Sequence, residues 1–189
     1  MGQAKWFSTC DALSGFYQIE LDEESKEKTA FATPHGLFEY NRLPQGISAG
    51  PPVFQRLASY ILRDLIGKCC YVYLDDIVIF SPTYEQHLID LDKVLACLQE
   101  ARLKLAPTKC SFFMSSITLL GHVCDARGTR PDPWLITAIE QFPRPLNVKQ
   151  VWAERWCGLS GYYRRFIKDY SKICAPLTEL RKKEQPWVW

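Results

Sequence analysis

Asp75 and Asp76 stand side by side at the centre of CYVYLDDIVIF (70–80), a stretch otherwise made of apolar, β-branched and aromatic residues. A carboxylate left unpaired in such a setting costs several kcal/mol. Two readings stand on these residues alone. In one, Asp75-Asp76 is a plain hairpin turn between CYVYL and IVIFS, and Asp11, at the end of FSTCD, is a helix N-cap. In the other, Asp11 converges with the pair at neighbouring strand ends, where like charges raise one another's pKa unless a cation neutralises them. Carboxylate oxygens suit Mg²⁺. Two such ions ~3.5–4 Å apart can clamp the attacking and leaving oxygens of an in-line phosphoryl displacement.

Convergence needs particular elements. FSTCDAL opens with a short strand, and FYQIEL alternates as a half-buried strand does. KTAFAT and GLFEYNRL, either side of Pro34-His35-Gly36, read as a hairpin. Pro51-Pro52 opens a helix over VFQRLASYILRDLI, which Gly67 is expected to end. EQHLIDLDKVLACLQEARL carries Leu88, Leu91, Val94, Leu95 and Leu98 on one face of an amphipathic helix. Extended pieces follow in LKLAPTKCSFF and SITLLGHV, then a turn at DARGTRPDP, then helix from Trp134 with breaks at Pro143 and Pro145. The order predicts an α+β fold, a mainly antiparallel sheet with helices on one face, compatible with a ferredoxin-like β-α-β-β-α-β core. In a split β-α-β sheet the strand ending at Asp11 and the hairpin holding Asp75 and Asp76 can be neighbours.

Apolar residues make up 47% and charged residues 23% of the 189, enough for a packed core. No apolar run reaches the ~18 residues of a membrane span, and no membrane partner is expected. The eight cysteines form no C-x-x-C pair, and several lie in apolar segments. They read as buried free thiols of an intracellular reducing compartment, cytoplasm or nucleus. Net charge is +2 but unevenly spread: residues 1–143 carry 13 Lys+Arg against 17 Asp+Glu, and residues 144–183 carry 10 against 3. A basic C-terminal quarter fits either phosphate contact or a solvated helical face.

FSTCDALSGFYQIEL, KTAFATPHGLFEYNRLPQG, PPVFQRL, YLDDIVIFS, HLIDLDKVLACLQEARLKLAPTKCSFF, LLGHV, RPDP and GLSGYYRRFIKDYSKICAPLTEL follow one another in this order. The ordered set, covering Trp6 to Trp189, strongly resembles the reverse transcriptase of Gypsy-type LTR retrotransposons and their retroviral relatives. The resemblance implies a polymerase palm with partial fingers over 1–125 and a helical thumb/connection-like segment over 126–189. It implies RNA-directed DNA synthesis from dNTPs on an RNA or DNA template–primer duplex, with two Mg²⁺ ions as cofactors and Mn²⁺ as an alternative. Asp11, Asp75 and Asp76 match the metal-binding catalytic triad. Because consecutive strand residues point apart, Asp75 is expected to bind metal most directly and Asp76 to stand behind it. Ala12, Phe16, Gln45 and Gly46 match substrate-binding positions, with Phe16 as the ring that would collide with a ribose 2′-hydroxyl. Lys109 matches a basic position suited to a general acid. Leu120, Gly121 and His122 resemble the primer grip. Arg164, Arg165, Lys168 and Lys172 fit phosphate contacts along the duplex.

The chain also departs from the family pattern. There, a fingers segment with a Lys/Arg pair precedes the first strand; here five residues precede Trp6, which leads us to expect weak or absent activity for this stretch in isolation. RNase H and integrase domains of a parent polyprotein are expected partners and have no signature here. Residues 150–157 run irregularly, as an insertion or as decay. The alternative function is therefore a truncated, inactive retroelement remnant that at most binds nucleic acid.

Overall fold

The computed structural model describes residues 3–141 and 156–179. The breaks expected at Pro143 and Pro145, and most of the irregular 150–157 stretch, lie outside them. The chain divides into two compact units, Met1–Ile117 and Thr118–Trp189.

The first unit is built on β1 (Trp6–Asp11), α1 (Glu23–Lys26), β2 (Phe31–Thr33), β3 (Gly36–Phe38), α2 (Gly50–Ile61), β4 (Cys70–Tyr73), β5 (Asp76–Ser81), α3 (Tyr84–Glu100) and β6 (Ser111–Met114). Its sheet has the order β4-β5-β1-β6, antiparallel throughout. With α2 between β1 and β4 and α3 between β5 and β6, this is the expected split β-α-β-β-α-β core. Both helices cover one sheet face: Phe54, Ala58 and Leu62 from the α2 segment and Leu91, Val94 and Leu98 of α3 enclose Cys10, Cys70, Ile77 and Ile79. Burying a Phe or Leu side chain this fully is worth about 1.5–3 kcal/mol each, so this face fixes the strand register. One polar network lies within: Ser8 Oγ meets His87 Nε2 at 2.7 Å, His87 Nδ1 meets Ser81 Oγ at 3.0 Å, and Ser81 Oγ donates to Asp90 Oδ2 at 2.8 Å. All four residues are buried.

Two local expectations are corrected here. Only the second half of FYQIEL is extended: Gly15–Gln18 form a 3-10 turn, while Glu20 bridges Arg42 antiparallel, with Leu43 N–H donating to the Ile19 carbonyl and Leu21 N–H to the Asn41 carbonyl. Phe16 and Ile19, three apart, each pack against the core, a spacing that a helical turn brings to one side. Nor does Gly67 end α2. The helix stops at Ile61, and Gly67, at φ +80°, serves the turn into β4, donating its N–H to the Cys70 carbonyl.

The second unit holds a sheet of order β7-β8-β9, where β7 (Ser116–Leu119) straddles the division and β8 (His122–Asp125) and β9 (Gly128–Pro131) form a hairpin. The stretch read as the turn DARGTRPDP is thus a two-residue turn plus a strand. Asp125 accepts the Arg127 backbone N–H and ion-pairs with Arg130, and hydrogen bonds from Arg130 and then from Arg127 bring its carboxyl down to about 2. This hairpin lies within the second compact unit. Helices α4 (Pro133–Glu140), α5 (Trp156–Tyr162) and α6 (Tyr170–Glu179) follow. No described helix is long and apolar enough to cross a membrane. Seven described cysteines are free, four of them buried.

Candidate active site

Asp11 is the last residue of β1 and pairs in register with Asp76, the first residue of β5. Cys10 and Ile77, one step inward on the two strands, face the helices; alternation therefore sends Asp11 and Asp76 to the open face together. The hairpin turn is not Asp75-Asp76. Tyr73 pairs with Asp76, so the two turn residues are Leu74 and Asp75. Leu74 sits at φ +51°, the left-handed first corner that a II′-type turn requires and that Gly ordinarily fills. Gln55 of α2 supports it: its Oε1 accepts the Leu74 N–H at 2.7 Å, and its Nε2 reaches the Val72 carbonyl at 3.3 Å.

The three acids load this corner with charge. Asp75 is partly buried, and its Oδ1 is enclosed without a hydrogen-bond partner. Burial, then the charges of Asp11 and Asp76, push its carboxyl above the usual range, and Lys109 pulls the other way. Asp76 is pushed up by desolvation, then by Asp11. As a residue Asp76 stays exposed, so we give the neighbouring carboxylate more weight than burial in its case. Lys109 Nζ lies 3.4 Å from Asp11 Oδ1. It is carried by a 3-10 turn, Pro107–Lys109, which is anchored where the Ala106 N–H donates to the Asp11 carbonyl. Among the described residues no group of three or more His, Cys, Asp or Glu is arranged to hold a metal ion as it stands. The donor chemistry nonetheless fits one: oxygen ligands only, one of them unsatisfied, with mutual repulsion for a cation to relieve.

Phe16 is half-buried, edge-on to the fully buried Phe54 at 5.9 Å. A Cβ at Gly15 would stand 2.7 Å from the Phe54 ring, so only glycine allows this approach. Ala12 is buried in the core, which leaves backbone rather than side chain for any substrate contact. Gln45 and Gly46 form an exposed turn, with Gly46 at φ +90°. Two positioning residues escaped the sequence reading. One is Gln55. The other is Gln18, whose Nε2 donates to the Leu13 and Lys104 carbonyls while its Oε1 accepts the Lys104 N–H, stapling the chain after Asp11 to the loop before Lys109. Neither glutamine stands in a motif whose spacing announces the bond it makes.

In the second unit, Leu120 and Gly121 form the two-residue turn between β7 and β8, and His122 opens β8. Arg164, Arg165, Lys168 and Lys172 are exposed within one short segment; Arg165 lies over the Phe166 ring, and Lys172 pairs with Asp169 at 3.1 Å.

A split β-α-β sheet that pairs acids at its strand ends is a palm-like α+β fold. The reverse transcriptase (RNA-dependent DNA polymerase) family profile matches residues 1–124, and the chain belongs to that family. It is 43% identical over 182 residues to the retrovirus-related Pol polyprotein from transposon opus of Drosophila melanogaster, covering 96% of this chain and 18% of that protein. It is 44% identical over 183 residues to the one from transposon 297 of the same species, covering 97% and 17%. The chain thus spans less than a fifth of the length of these relatives. Among solved structures, a foamy viral protease-reverse transcriptase in complex with RNA/DNA hybrid superposes with TM-score 0.81 at 27% identity, over 98% of this chain and 25% of that one. Another, in complex with double-stranded DNA, reaches 0.88 at 27%, over 98% and 33%. The fold is the α+β palm of these enzymes.

Proposed function

We propose that this chain forms the nucleotidyl-transfer core of an RNA-directed DNA polymerase, extending a primer 3′-hydroxyl with dNTPs along an RNA or DNA template. The observation that carries the reading is the register pair Asp11–Asp76 beside the buried, unpartnered Asp75 Oδ1. Asp11, Asp75 and Asp76 would hold two Mg²⁺ ions, with Mn²⁺ as a substitute. Such ions, when bound, lower the pKa of an attacking hydroxyl and offset charge on a leaving pyrophosphate. Because Asp76, not Asp75, faces Asp11 in register, we assign the two acids equal standing as ligands.

The other groups divide the remaining work. Lys109 is exposed and tethered to Asp11 by an ion pair that costs little to break at the surface, so it can turn to protonate the departing pyrophosphate. Phe16, braced by Phe54, closes the sugar pocket against a 2′-hydroxyl. Ala12 through its backbone, with Gln45 and Gly46, lines the nucleotide site. Leu120, Gly121 and His122 hold the primer end, and Arg164, Arg165, Lys168 and Lys172 contact duplex phosphates without reading sequence. The second unit serves as a thumb/connection-like element, and RNase H and integrase activities belong to a longer Pol polyprotein. The free thiols suit a reducing intracellular compartment.

Primer extension on an RNA template with Mg²⁺ tests the reading. Extension that vanishes in Asp75→Asn and Asp11→Asn supports it. Duplex binding with no extension, indifferent to both substitutions, would establish the inactive nucleic-acid-binding remnant instead.

A further inference from the structure

The turn Leu120-Gly121 has φ values of +47° and +68°. Two successive left-handed residues make a I′-type turn, which favours Asn-Gly and disfavours Leu in first place. Leu120 is nonetheless there, with 43% of its surface exposed. Something outside the hairpin must hold it. In an ordinary two-residue hairpin the carbonyls of the turn face water. Here each meets two protein donors. The Leu120 carbonyl accepts the Tyr162 hydroxyl at 2.6 Å and His122 Nδ1 at 2.8 Å. The Gly121 carbonyl accepts the Tyr163 hydroxyl at 2.6 Å and the Asp132 N–H at 3.0 Å.

The surrounding packing allows little slack. Tyr163 is 1% exposed. A Cβ at Gly121 would lie 3.0 Å from its hydroxyl oxygen and 3.0 Å from Leu135 Cδ1. His122 donates from Nδ1, since a carbonyl only accepts; its Nε2 is enclosed without a partner beside the rings of Tyr162, Tyr163 and Phe166. The histidine ring, the strained leucine and both tyrosine hydroxyls form one locked unit.

We propose that Tyr162 and Tyr163, from the GYYRRF segment, are positioning residues that fix the Leu120-Gly121-His122 turn and present Leu120 as a rigid apolar tip to the primer's 3′ end. This deepens, and rests on, the primer-holding role assigned to the turn above. The tyrosines touch no reacting atom. Their effect is to keep the terminal nucleotide aligned, so they act on turnover and on tolerance of a mismatched primer end rather than on nucleotide affinity.

The test compares the parent with Tyr162→Phe, Tyr163→Phe and the double variant, each of which keeps its ring. Two readouts are used. One is steady-state extension of matched and 3′-mismatched primers. The other is photo-crosslinking from a 4-thiothymidine at the primer 3′ terminus, mapped to residues 118–124, which needs no catalysis. We expect the double variant to lose about tenfold or more in kcat on matched primers, with the KM for dNTP within about twofold of the parent, and to lose the crosslink. Tyr162 is exposed, so Tyr162→Phe keeps the fold and should show the same losses in smaller degree. Unchanged kcat, mismatch ratio and crosslink in Tyr162→Phe and Tyr163→Phe would overturn the proposal. A parent that crosslinks the turn yet extends no primer, with the crosslink lost in the variants, would count against catalysis by this stretch alone and leave this proposal standing.

Discussion

Gln55 holds Leu74: the amide oxygen of one accepts the backbone N–H of the other at 2.7 Å, across a separation of 19 residues. The bond joins the helix-covered core to the turn that carries Asp75. It stabilises a left-handed leucine that the turn's own sequence would not choose.

Gln55→Leu keeps the side chain's bulk and removes its acceptor, leaving the Leu74 N–H unpaired at a cost of about 1–3 kcal/mol. Since the loss falls on the turn, we expect kcat for primer extension to drop by roughly tenfold to a hundredfold, with duplex affinity nearly unchanged. Gln55→Glu retains an acceptor oxygen and should recover part of the activity. Equal activity of parent and Gln55→Leu would remove Gln55 from the site.

Asp75→Asn should abolish extension and yet stabilise the metal-free protein. The carboxyl of Asp75 is raised by burial and then by its acidic neighbours. A raised carboxyl contributes its stability in full below the unfolded value near 3.8 and loses it as pH rises through the folded value. At pH 7 the ionised group is therefore a liability that Asn lacks. The gain is kept small by solvent screening at this partly exposed carboxyl, and it shows as a higher Tm for the variant than for the parent without the ion. Added Mg²⁺ should raise the parent's Tm more than the variant's. Calorimetry with and without the ion decides it, and a lower metal-free Tm for Asp75→Asn would falsify the charge-repulsion account.

His87 works in the opposite sense. Burial lowers its pKa, partly countered by Asp90. A depressed histidine contributes stability above its unfolded value near 6.5 and loses it as pH falls through the folded value. Urea midpoints of the parent should thus fall on acidification below about pH 6.5. His87→Gln should be less stable at pH 7, by about 1–3 kcal/mol for its disturbed buried partners Ser8 and Ser81, but should show a flatter dependence between pH 7 and 5. Parallel curves for the two proteins would assign the acid sensitivity elsewhere.

Phe16→Val shortens the side chain proposed to close the sugar pocket and should raise ribonucleotide incorporation by roughly tenfold to a thousandfold while sparing dNTP use, since that proposal makes the ring a steric exclusion and not a deoxyribose contact. Competitive incorporation of dNTP and rNTP measures the ratio. An unchanged ratio would return Phe16 to the role of a core aromatic packed on Phe54.

The sequence alone determined the elements whose signals are local. Proline at the first turn and an apolar stripe specified α2; an apolar face through Leu91, Val94 and Leu98 specified α3, although Leu88, expected on that face, is exposed, and the Thr83 cap became visible only in the structure. Ordered motifs around Asp11, Asp75 and Asp76 marked the acids that the fold brings to one corner. Periodicity misread the first half of FYQIEL because so short an alternation does not show that Phe16 and Ile19, three apart, will both pack against the core from a 3-10 turn. Likewise the dipeptide did not reveal that Leu74 and Asp75 make the turn and Asp76 the strand, because register is set by which face meets the core. Only the tertiary structure decided the bonds of Gln55, Gln18, Tyr162 and Tyr163. Each joins segments distant in sequence, and a lone polar side chain carries no mark of the backbone group it will satisfy once the chain has packed.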